Sequence, residues 1–106
     1  MAVSIIIRRM LKDKATAEKL APLIVQLRSR ATVQTGFLTD QTFSCLDCEG
    51  EYLIMSTWHT LEDWNKWMHS PERQAIQRNI DELLGKKTLY RYYEPVVGGI
   101  IPKFRP

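Results

Sequence analysis

Apolar and polar residues alternate along this chain with two different periods. From Val3 to about Met10 the chain is rich in β-branched residues, which predicts a strand. The next apolar positions recur at the i, i+3, i+4, i+7, i+11 spacing of an amphipathic helix that reaches about Gln34, namely Leu20, Leu23, Ile24, Leu27 and Ala31. The sequence therefore opens with a strand followed by a helix.

The ends of this helix are predicted from residues with special backbone chemistry. Thr16 is a plausible N-cap, and Gly36 fits the usual chemistry of a helix C-terminus. Pro22 lies inside the pattern. Because proline lacks an N–H and its ring clashes with the preceding turn, Pro22 should either kink the helix or move its start to near Ala21.

Two further strands are predicted in the middle of the chain. Phe37 to Cys45 forms the first, with Phe37, Thr39, Gln41 and Phe43 on one face. A turn from Asp47 to Gly50 leads into the second, Glu51 to Trp58.

Two helix starts follow in succession. Thr60 with Asp63 resembles a capping box, and Ser70 is a good N-cap next to Pro71. They predict a short helix from Leu61 to about His69 and a second from Pro71. The second has the apolar stripe Ile76, Ile80, Leu83 and Leu84, ends at Gly85, and is followed by a strand from Thr88 to Tyr93.

The order β-α-β-β-α(α)-β is that of an α+β, ferredoxin-like split β-α-β fold, with helices on one face of a four-stranded antiparallel sheet. Such a sheet normally alternates apolar and polar residues, since its other face meets water. Ile5-Ile6-Ile7 and Leu53-Ile54-Met55 are instead apolar on both faces. We therefore expect a homodimer with facing sheets. The apolar tail at 94–106, chiefly Val96 to Pro102, would enlarge the interface.

The short helix carries two of the three tryptophans. Leu61, Trp64 and Met68 share one face, and Trp67 falls at the edge of that stripe. A tryptophan in that position either packs at the core boundary or lines a pocket, and periodicity leaves both open.

Length and charge narrow the class of protein. The 106 residues fit a single domain, and the net charge is only +3. Basic residues are scattered without the aromatic-interleaved stripe typical of nucleic-acid binding; Lys103 and Arg105 form one small cluster. No apolar run is long enough for a membrane span, and no signal peptide is recognisable, so we expect a cytoplasmic protein.

Cys45 and Cys48 form a Cys-x-x-Cys motif at the predicted turn. A redox motif of this kind normally opens a helix, whereas this one leads into strand residues. A structural zinc site needs four ligands, and His59 and His69 do not have the usual spacing. Turn residues without a metal or redox role are the favoured interpretation, with a redox role as the alternative.

Several motifs resemble the antibiotic biosynthesis monooxygenase family, a group of dimeric α+β barrel proteins. They are Leu-Arg-Ser-Arg-Ala at 27–31, Gln-Thr-Gly-Phe at 34–37, Ser-Thr-Trp-His-Thr-Leu-Glu-Asp-Trp at 56–64, and Trp-Met-x-Ser-Pro at 67–71. The resemblance covers Val3 to about Tyr93. It implies a ligand pocket between sheet and helices, with Trp67 in its wall.

The family's catalytic residues are not reproduced. Haem-degrading members are similar to one another in an Asn and an axial His, where this chain has Ile7 and Gln77. Imidazole is a normal haem ligand and glutamine is not. Polyketide-oxidising members share an Asn and a Tyr, where this chain has Asp63 and Arg73.

The resemblance implies a monooxygenase that uses neither metal nor cofactor and acts on a small aromatic, quinol-like or polyketide-like substrate. The alternatives are a non-enzymatic dimer that binds a small apolar ligand and, less favoured, a haem binder or degrader. The candidate catalytic residues are His59 and His69 as bases and Arg73 as an anion partner. The candidate pocket walls are Trp67, Trp64, Phe43 and Tyr52.

Overall fold

The computed structural model describes residues 2–102 and 104, so Lys103 and Arg105 of the predicted tail lie outside the described residues. The elements in chain order are β1 (Val3–Met10), α1 (Lys14–Ala31), β2 (Phe37–Ser44), β3 (Glu51–Trp58), α2 (Leu61–Met68), α3 (Pro71–Leu84) and β4 (Leu89–Tyr93). The predicted element order is confirmed.

The four strands form one antiparallel sheet in the order β2-β3-β1-β4, the ferredoxin-like α+β arrangement. β1 is central and pairs with β3 and β4, whereas β2 and β4 are the edges. Ile5, Ile7 and Arg9 of β1 are buried beneath the helices. Their neighbours Ile6 and Arg8 point to the opposite face, called here the open face.

Both predicted ends of α1 need correction. Asp13 is the N-cap, and its carboxylate accepts a 2.7 Å hydrogen bond from the backbone N–H of Thr16. α1 continues through Pro22, so a start near Ala21 is wrong. Its C-cap is Thr32, whose N–H donates to Arg28, and Gly36 lies four residues further on in the turn to β2.

The caps predicted for α2 and α3 are present. Thr60 Oγ1 accepts a 3.0 Å hydrogen bond from the N–H of Asp63, and Ser70 Oγ accepts one of 3.2 Å from Arg73. Gly85 ends α3 in the left-handed conformation, with its N–H bonded to the carbonyl of Asp81.

The buried face of α2 is rotated from the predicted stripe. Trp64 and Trp67 are buried, whereas Leu61 is 43% exposed and Met68 is partly buried. Trp67 therefore belongs to the core and does not lie at its edge. An indole buries more apolar area than a leucine side chain, which favours this rotation.

A bulge between Phe37 and Thr39 changes which residues of β2 share a face. Phe37 pairs with Trp58 on the helix side, while Thr39 and Phe43 lie on the open face. The single face predicted for Phe37, Thr39, Gln41 and Phe43 is therefore wrong, because an extra residue reverses the alternation.

Aromatic contacts connect the elements across the core. The Phe37 and Trp58 rings lie 5.5 Å apart, Trp58 and Trp64 5.7 Å, and Trp64 and Tyr90 6.2 Å, with the first two edge-on. Such contacts stabilise by about 0.5–1.5 kcal/mol each beyond the buried area. They tie β2, β3, α2 and β4 into one unit.

The open face and the tail leave apolar side chains in solvent. On the open face Phe43, Leu89 and Tyr93 are 40–55% exposed, and in the tail Val97, Ile100 and Ile101 are 73–86% exposed. Within residues 2–102, no helix is long and apolar enough to cross a bilayer.

Gly36 lies where the turn into β2 meets the junction between β3 and α2. Its φ is +86°, its carbonyl accepts a 2.7 Å hydrogen bond from the N–H of His59, and the Asp63 carboxyl lies against its α-carbon. A β-carbon at this position would collide with that carboxyl. Glycine is needed here both for its backbone angle and for its lack of a side chain.

We expect Gly36→Ala to lower the free energy of unfolding by about 2 kcal/mol or more, since it combines a strained φ with a steric clash. Gly85→Ala is the matched control, because Gly85 has φ +66° and open space around the β-carbon position. Urea unfolding of both variants measures the difference. Equal losses would show that the contact with Asp63 contributes nothing.

Candidate functional site

A small cavity lies between the helices and the sheet. It receives side chains from all three helices and from β1, β2 and β3, and its volume is about 30 Å³. Its lining combines aliphatic residues with polar and aromatic ones: Ile7, Arg9, Ile24, Leu27, Arg28, Ala31, Asp40, Ile54, Ser56, Trp64, Trp67 and Arg73. This volume holds about one water molecule.

Arg73 is buried in the first turn of α3, with 2% of the residue exposed. Its guanidinium lies 5.3 Å from the ring centre of Trp64 and 5.5 Å from that of Tyr90. Nη2 donates a 3.0 Å hydrogen bond to the Tyr90 hydroxyl, and Nη1 lies 3.2 Å from Met68 Sδ. Among the residues that the structure describes, no carboxylate forms an ion pair with Arg73.

Arg9 is the second buried guanidinium at the cavity, also 2% exposed. Nε donates to Thr88 Oγ1 at 3.3 Å, and Nη2 donates to Gln77 Oε1 at 3.0 Å. Nη1 is buried and has no hydrogen-bond partner within residues 2–102 and 104. Gln77 is held in turn by donating to Asp81 and Thr88.

Asp40 brings a carboxyl to the cavity from the edge strand β2. Its Oδ1 is buried and, in the described part of the chain, has no hydrogen-bond partner. Burial raises the pKa of this carboxyl, and hydrogen bonding to Ser56 and the charge of Arg28 oppose that rise. Asp40 is therefore easier to protonate than an ordinary aspartate.

Trp64 and Trp67 form the aromatic part of the lining, at 1% and 3% exposure. Trp67 both packs in the core and borders the cavity, so the two interpretations of its position do not exclude one another. Nε1 of Trp64 is buried and lacks an acceptor among the described residues. A buried polar group without a partner costs about 1–3 kcal/mol, so three such residues around one cavity require an explanation.

The remaining predicted site residues lie elsewhere. His59 and His69 are exposed and do not line the cavity; Nδ1 of His69 lies 2.9 Å from the carbonyl oxygen of Asn65. Phe43 requires correction as a wall of the same pocket, because it lies on the open face. Tyr52 lies on the helix side, opposite Arg9, but outside the cavity lining.

Burial raises the pKa of the Tyr52 phenol, and Arg9 opposes this shift. The Tyr52 hydroxyl is also buried and lies beside Arg9.

Sequence reasoning placed Trp64, Trp67 and Arg73 at the site but missed Arg9 and Asp40. In the sequence, Arg9 is one of the scattered basic residues and belongs to no motif. Strand alternation was the available signal, since Ile5, Ile7 and Arg9 must share a face. The face of the sheet on which Asp40 lies depends on the β2 bulge, and a bulge cannot be predicted from residue types alone.

The arrangement suits a small anion with an aromatic body. Two buried guanidinium groups supply positive charge in a region of low dielectric, where electrostatic interactions are stronger than in water. The indoles supply flat apolar walls, and Asp40 supplies a carboxyl that can exchange a proton. The cavity volume is too small for an aromatic ring, so such a ligand requires the walls to separate.

The chain was compared with known families and structures. The profile of the family described as antibiotic biosynthesis monooxygenase matches residues 3–79. A comparison with curated protein sequences gives no significant match.

Solved structures with the same fold share little sequence. SnoaB, a cofactor-independent oxygenase from Streptomyces nogalater, superimposes with a TM-score of 0.76 at 13% identity, covering 90% of this chain and 93% of SnoaB. A conserved protein from Methanosarcina mazei Go1 gives a TM-score of 0.78 at 14% identity, covering 88% and 91%. Rv0793 from Mycobacterium tuberculosis gives 0.77 at 17% identity, covering 91% and 96%.

The profile match spans most of the chain and includes every element from β1 through most of α3. The fold and the tryptophan-bearing junction between β3 and α2 agree with it. This chain belongs to the antibiotic biosynthesis monooxygenase family.

Proposed function

We propose that this protein is a monooxygenase that binds a small acidic aromatic molecule, such as a hydroquinone or phenol, as its anion and lets it react with O₂ without a metal or flavin. The observation that carries the proposal is the pair of buried guanidinium groups, Arg9 and Arg73, at one cavity with Trp64 and Trp67. An anion is the ligand that would offset the cost of burying both charges.

The residues have distinct roles in this proposal. Arg73 and Arg9 stabilise the phenolate, the indoles orient its ring, and Asp40 accepts the proton as the phenolate forms. Oxygenation then needs no external reductant, because the substrate supplies two electrons and two hydrogens. One oxygen atom of O₂ becomes a carbonyl on the substrate and the other leaves as water.

Access is proposed between α1 and the edge strand β2. β1 and β3 are held by neighbours on both sides, whereas β2 has a neighbour on one side only. Asp40 of β2 and Arg28 of α1 both border the cavity, and Arg28 is exposed. A cation at the mouth would attract an anionic substrate.

The alternative function is non-enzymatic binding of a small aromatic ligand. It is favoured because His59 and His69, the candidate catalytic bases, are exposed and do not line the cavity. A haem-based function has less support. Gln77, which stands at the position of the family's axial histidine, has its amide committed to Arg9, Thr88 and Asp81.

We expect purified protein to consume O₂ with a hydroquinone or an anthrone-type phenol. Arg73→Met should reduce the rate at low substrate about tenfold or more, since a lost charge-assisted contact of about 1.4 kcal/mol changes affinity tenfold. An oxygen electrode measures the rate, and quenching of tryptophan fluorescence measures binding.

Arg78→Met and His69→Ala are the controls, because both residues are exposed and outside the cavity lining. Saturable quenching of tryptophan fluorescence without O₂ uptake would contradict the monooxygenase function and support non-enzymatic ligand binding. A Soret shift on adding haemin that depends on the cavity residues would instead favour haem binding. Unchanged uptake in Arg73→Met would contradict the role of Arg73.

Asp40→Asn tests the proposed base through the pH dependence of stability. A carboxyl whose pKa is raised by folding favours the protonated folded state, so it destabilises the fold increasingly as pH rises above its unfolded pKa of about 3.9. We expect Asp40→Asn to gain stability relative to the parent as the pH rises from about 4 to the raised pKa of the folded state, with no further relative change below or above that range. Chemical unfolding at several pH values measures this gain.

The same variant should lose most of its O₂ uptake but should still bind substrate, as measured by the quenching of its tryptophan fluorescence. Asp13→Asn is the matched control with the opposite sign, because hydrogen bonds from Thr16 lower the pKa of the Asp13 carboxyl. A stability difference for Asp40→Asn that does not vary with pH would show that this carboxyl is not perturbed.

We also propose that the protein is a homodimer that buries the open face. Leu53 and Met55 on β3, with Phe43 and Tyr93 on the edge strands, form an apolar surface that the helices do not cover. Four strands supply only about 350 Å², less than the roughly 800 Å² per partner of a standard interface. The exposed tail from Val96 to Ile101 supplies further apolar area.

We expect light scattering after gel filtration to give a dimeric mass at micromolar concentration, and Met55→Glu to give a monomer, since it buries a charge at the interface. Val25→Glu is the control, because Val25 is 66% exposed on α1, on the other side of the sheet. A monomeric parent protein, or equal effects of the two variants, would contradict the proposed interface.

A further inference from the structure

The β2–β3 hairpin brings two thiols and a carboxylate together on the surface. One ligand atom from each of Cys45, Cys48 and Glu51 lies within 4.8 Å of the others, and all three residues are half-buried. In a tetrahedral site with bonds of about 2.0–2.3 Å, ligand atoms are about 3.3–3.8 Å apart. Small side-chain rotations would bring the three atoms to that spacing.

We propose that Cys45, Cys48 and Glu51 bind a thiophilic divalent cation, of which Zn²⁺ is the representative. Two thiolates and a carboxylate provide three ligands of the kinds that zinc accepts, and a water molecule or an exogenous group completes the tetrahedron. Binding replaces two thiol protons, which leave to solvent, and involves no change in oxidation state.

The carboxylates around the thiols are already oriented for this role. Oε2 of Glu51 accepts a 3.1 Å hydrogen bond from the thiol of Cys48, while Oε1 lies 3.5 Å from Nε of Arg8. The thiol of Cys45 donates at 3.1 Å to Oδ1 of Asp47. The contact with Arg8 is an outer contact that orients the Glu51 carboxylate, and Asp47 adds negative charge that attracts a cation when the thiol protons leave.

The loop backbone is also fixed. The N–H of Cys45 donates to the carbonyl of Glu51, and the N–H of Glu51 donates to that of Cys48. The carbonyl of Gly50, which has φ +87°, accepts a 2.6 Å hydrogen bond from the N–H of Leu11, and a side chain at Gly50 would collide with the Leu11 carbonyl. The hairpin is therefore anchored to the end of β1, which lowers the entropy cost of assembling the ligands.

A cation site fits this motif better than a redox function. A redox Cys-x-x-Cys has a thiol pKa lowered by a helix N-terminus or positive neighbours. Here the motif lies in the turn between β2 and β3, not at a helix N-terminus, and the two thiols donate to the carboxylates of Asp47 and Glu51. Negative neighbours disfavour a free thiolate and favour a bound cation. From the sequence, Cys45 and Cys48 are interpreted as plain turn residues because the histidines lack the spacing of zinc ligands. Glu51, which lies close to both thiols in the structure, is not among the ligands considered there.

Titration with Co²⁺ tests the proposal, because thiolate coordination gives a ligand-to-metal charge-transfer band in the near ultraviolet. Under reducing conditions we expect one Co²⁺ per chain, displacement by Zn²⁺, and a rise in melting temperature on adding Zn²⁺. The Cys45→Ser/Cys48→Ser double variant should lose the band, and Glu51→Gln should weaken Co²⁺ binding about tenfold or more.

Glu49→Gln is the matched control, since Glu49 is an exposed acid of the same loop outside the cluster. Circular dichroism of each variant checks that the hairpin changes leave the fold intact. Absence of a charge-transfer band, or equal Co²⁺ affinity in the double variant, would overturn the site. A loss in Glu49→Gln equal to that in Glu51→Gln would also overturn it, because it would indicate non-specific attraction to an acidic loop.

Discussion

The burial of Arg73 is the constraint on which the rest of the site depends. A guanidinium keeps its charge at any physiological pH, so it cannot escape the cost of burial by losing a proton. That cost is several kcal/mol for a buried ion. In the described part of the chain Arg73 is met by two aromatic faces, a phenol and a thioether, and by no carboxylate.

These partners explain why the aromatic residues lie where they do. Trp64 and Tyr90 must both reach Arg73, which ties α2 to the edge strand β4. A desolvated cation over an aromatic face gains about 2 kcal/mol, and the phenol hydrogen bond adds about 1.5–3 kcal/mol. The protein therefore offsets much of the burial cost with groups that leave the positive charge uncompensated, which is the condition for attracting an anion.

Much of the fold could be predicted from the sequence because its signals are local. The Thr60, Ser70 and Gly85 caps depend on residues within four positions of one another, and the element order followed from them. Asp13 was missed in favour of Thr16 because both can cap a helix, and only the observed hydrogen bond between them decides which one does. Of the two outcomes expected from Pro22, a helix start near Ala21 is wrong, because α1 begins at Lys14 and continues through the proline.

The site was less predictable because it depends on which strand faces meet. Arg73 and Trp67 could be identified because they lie in or next to the Trp-Met-x-Ser-Pro motif at 67–71, which also carries the family resemblance. Arg9 lies in β1, Asp40 in β2 and Glu51 in β3, and their proximity to other groups depends on strand register and on one bulge. Register is a long-range property that no short sequence window contains.

The small cavity volume is consistent with this electrostatic arrangement. A large preformed cavity would fill with water and let the two guanidinium groups be hydrated, which would weaken their attraction for a substrate anion. A cavity of about 30 Å³ has room for about one water molecule, and among the described residues one polar atom on each of Arg9, Asp40 and Trp64 has no hydrogen-bond partner. In the proposed function, the cost of separating α1 from β2 would be offset when an anion accepts hydrogen bonds from Arg9 Nη1 and Trp64 Nε1. A neutral apolar molecule of the same shape would incur the same opening cost and leave the guanidinium groups without a counter-charge, so the proposed site would select for anions.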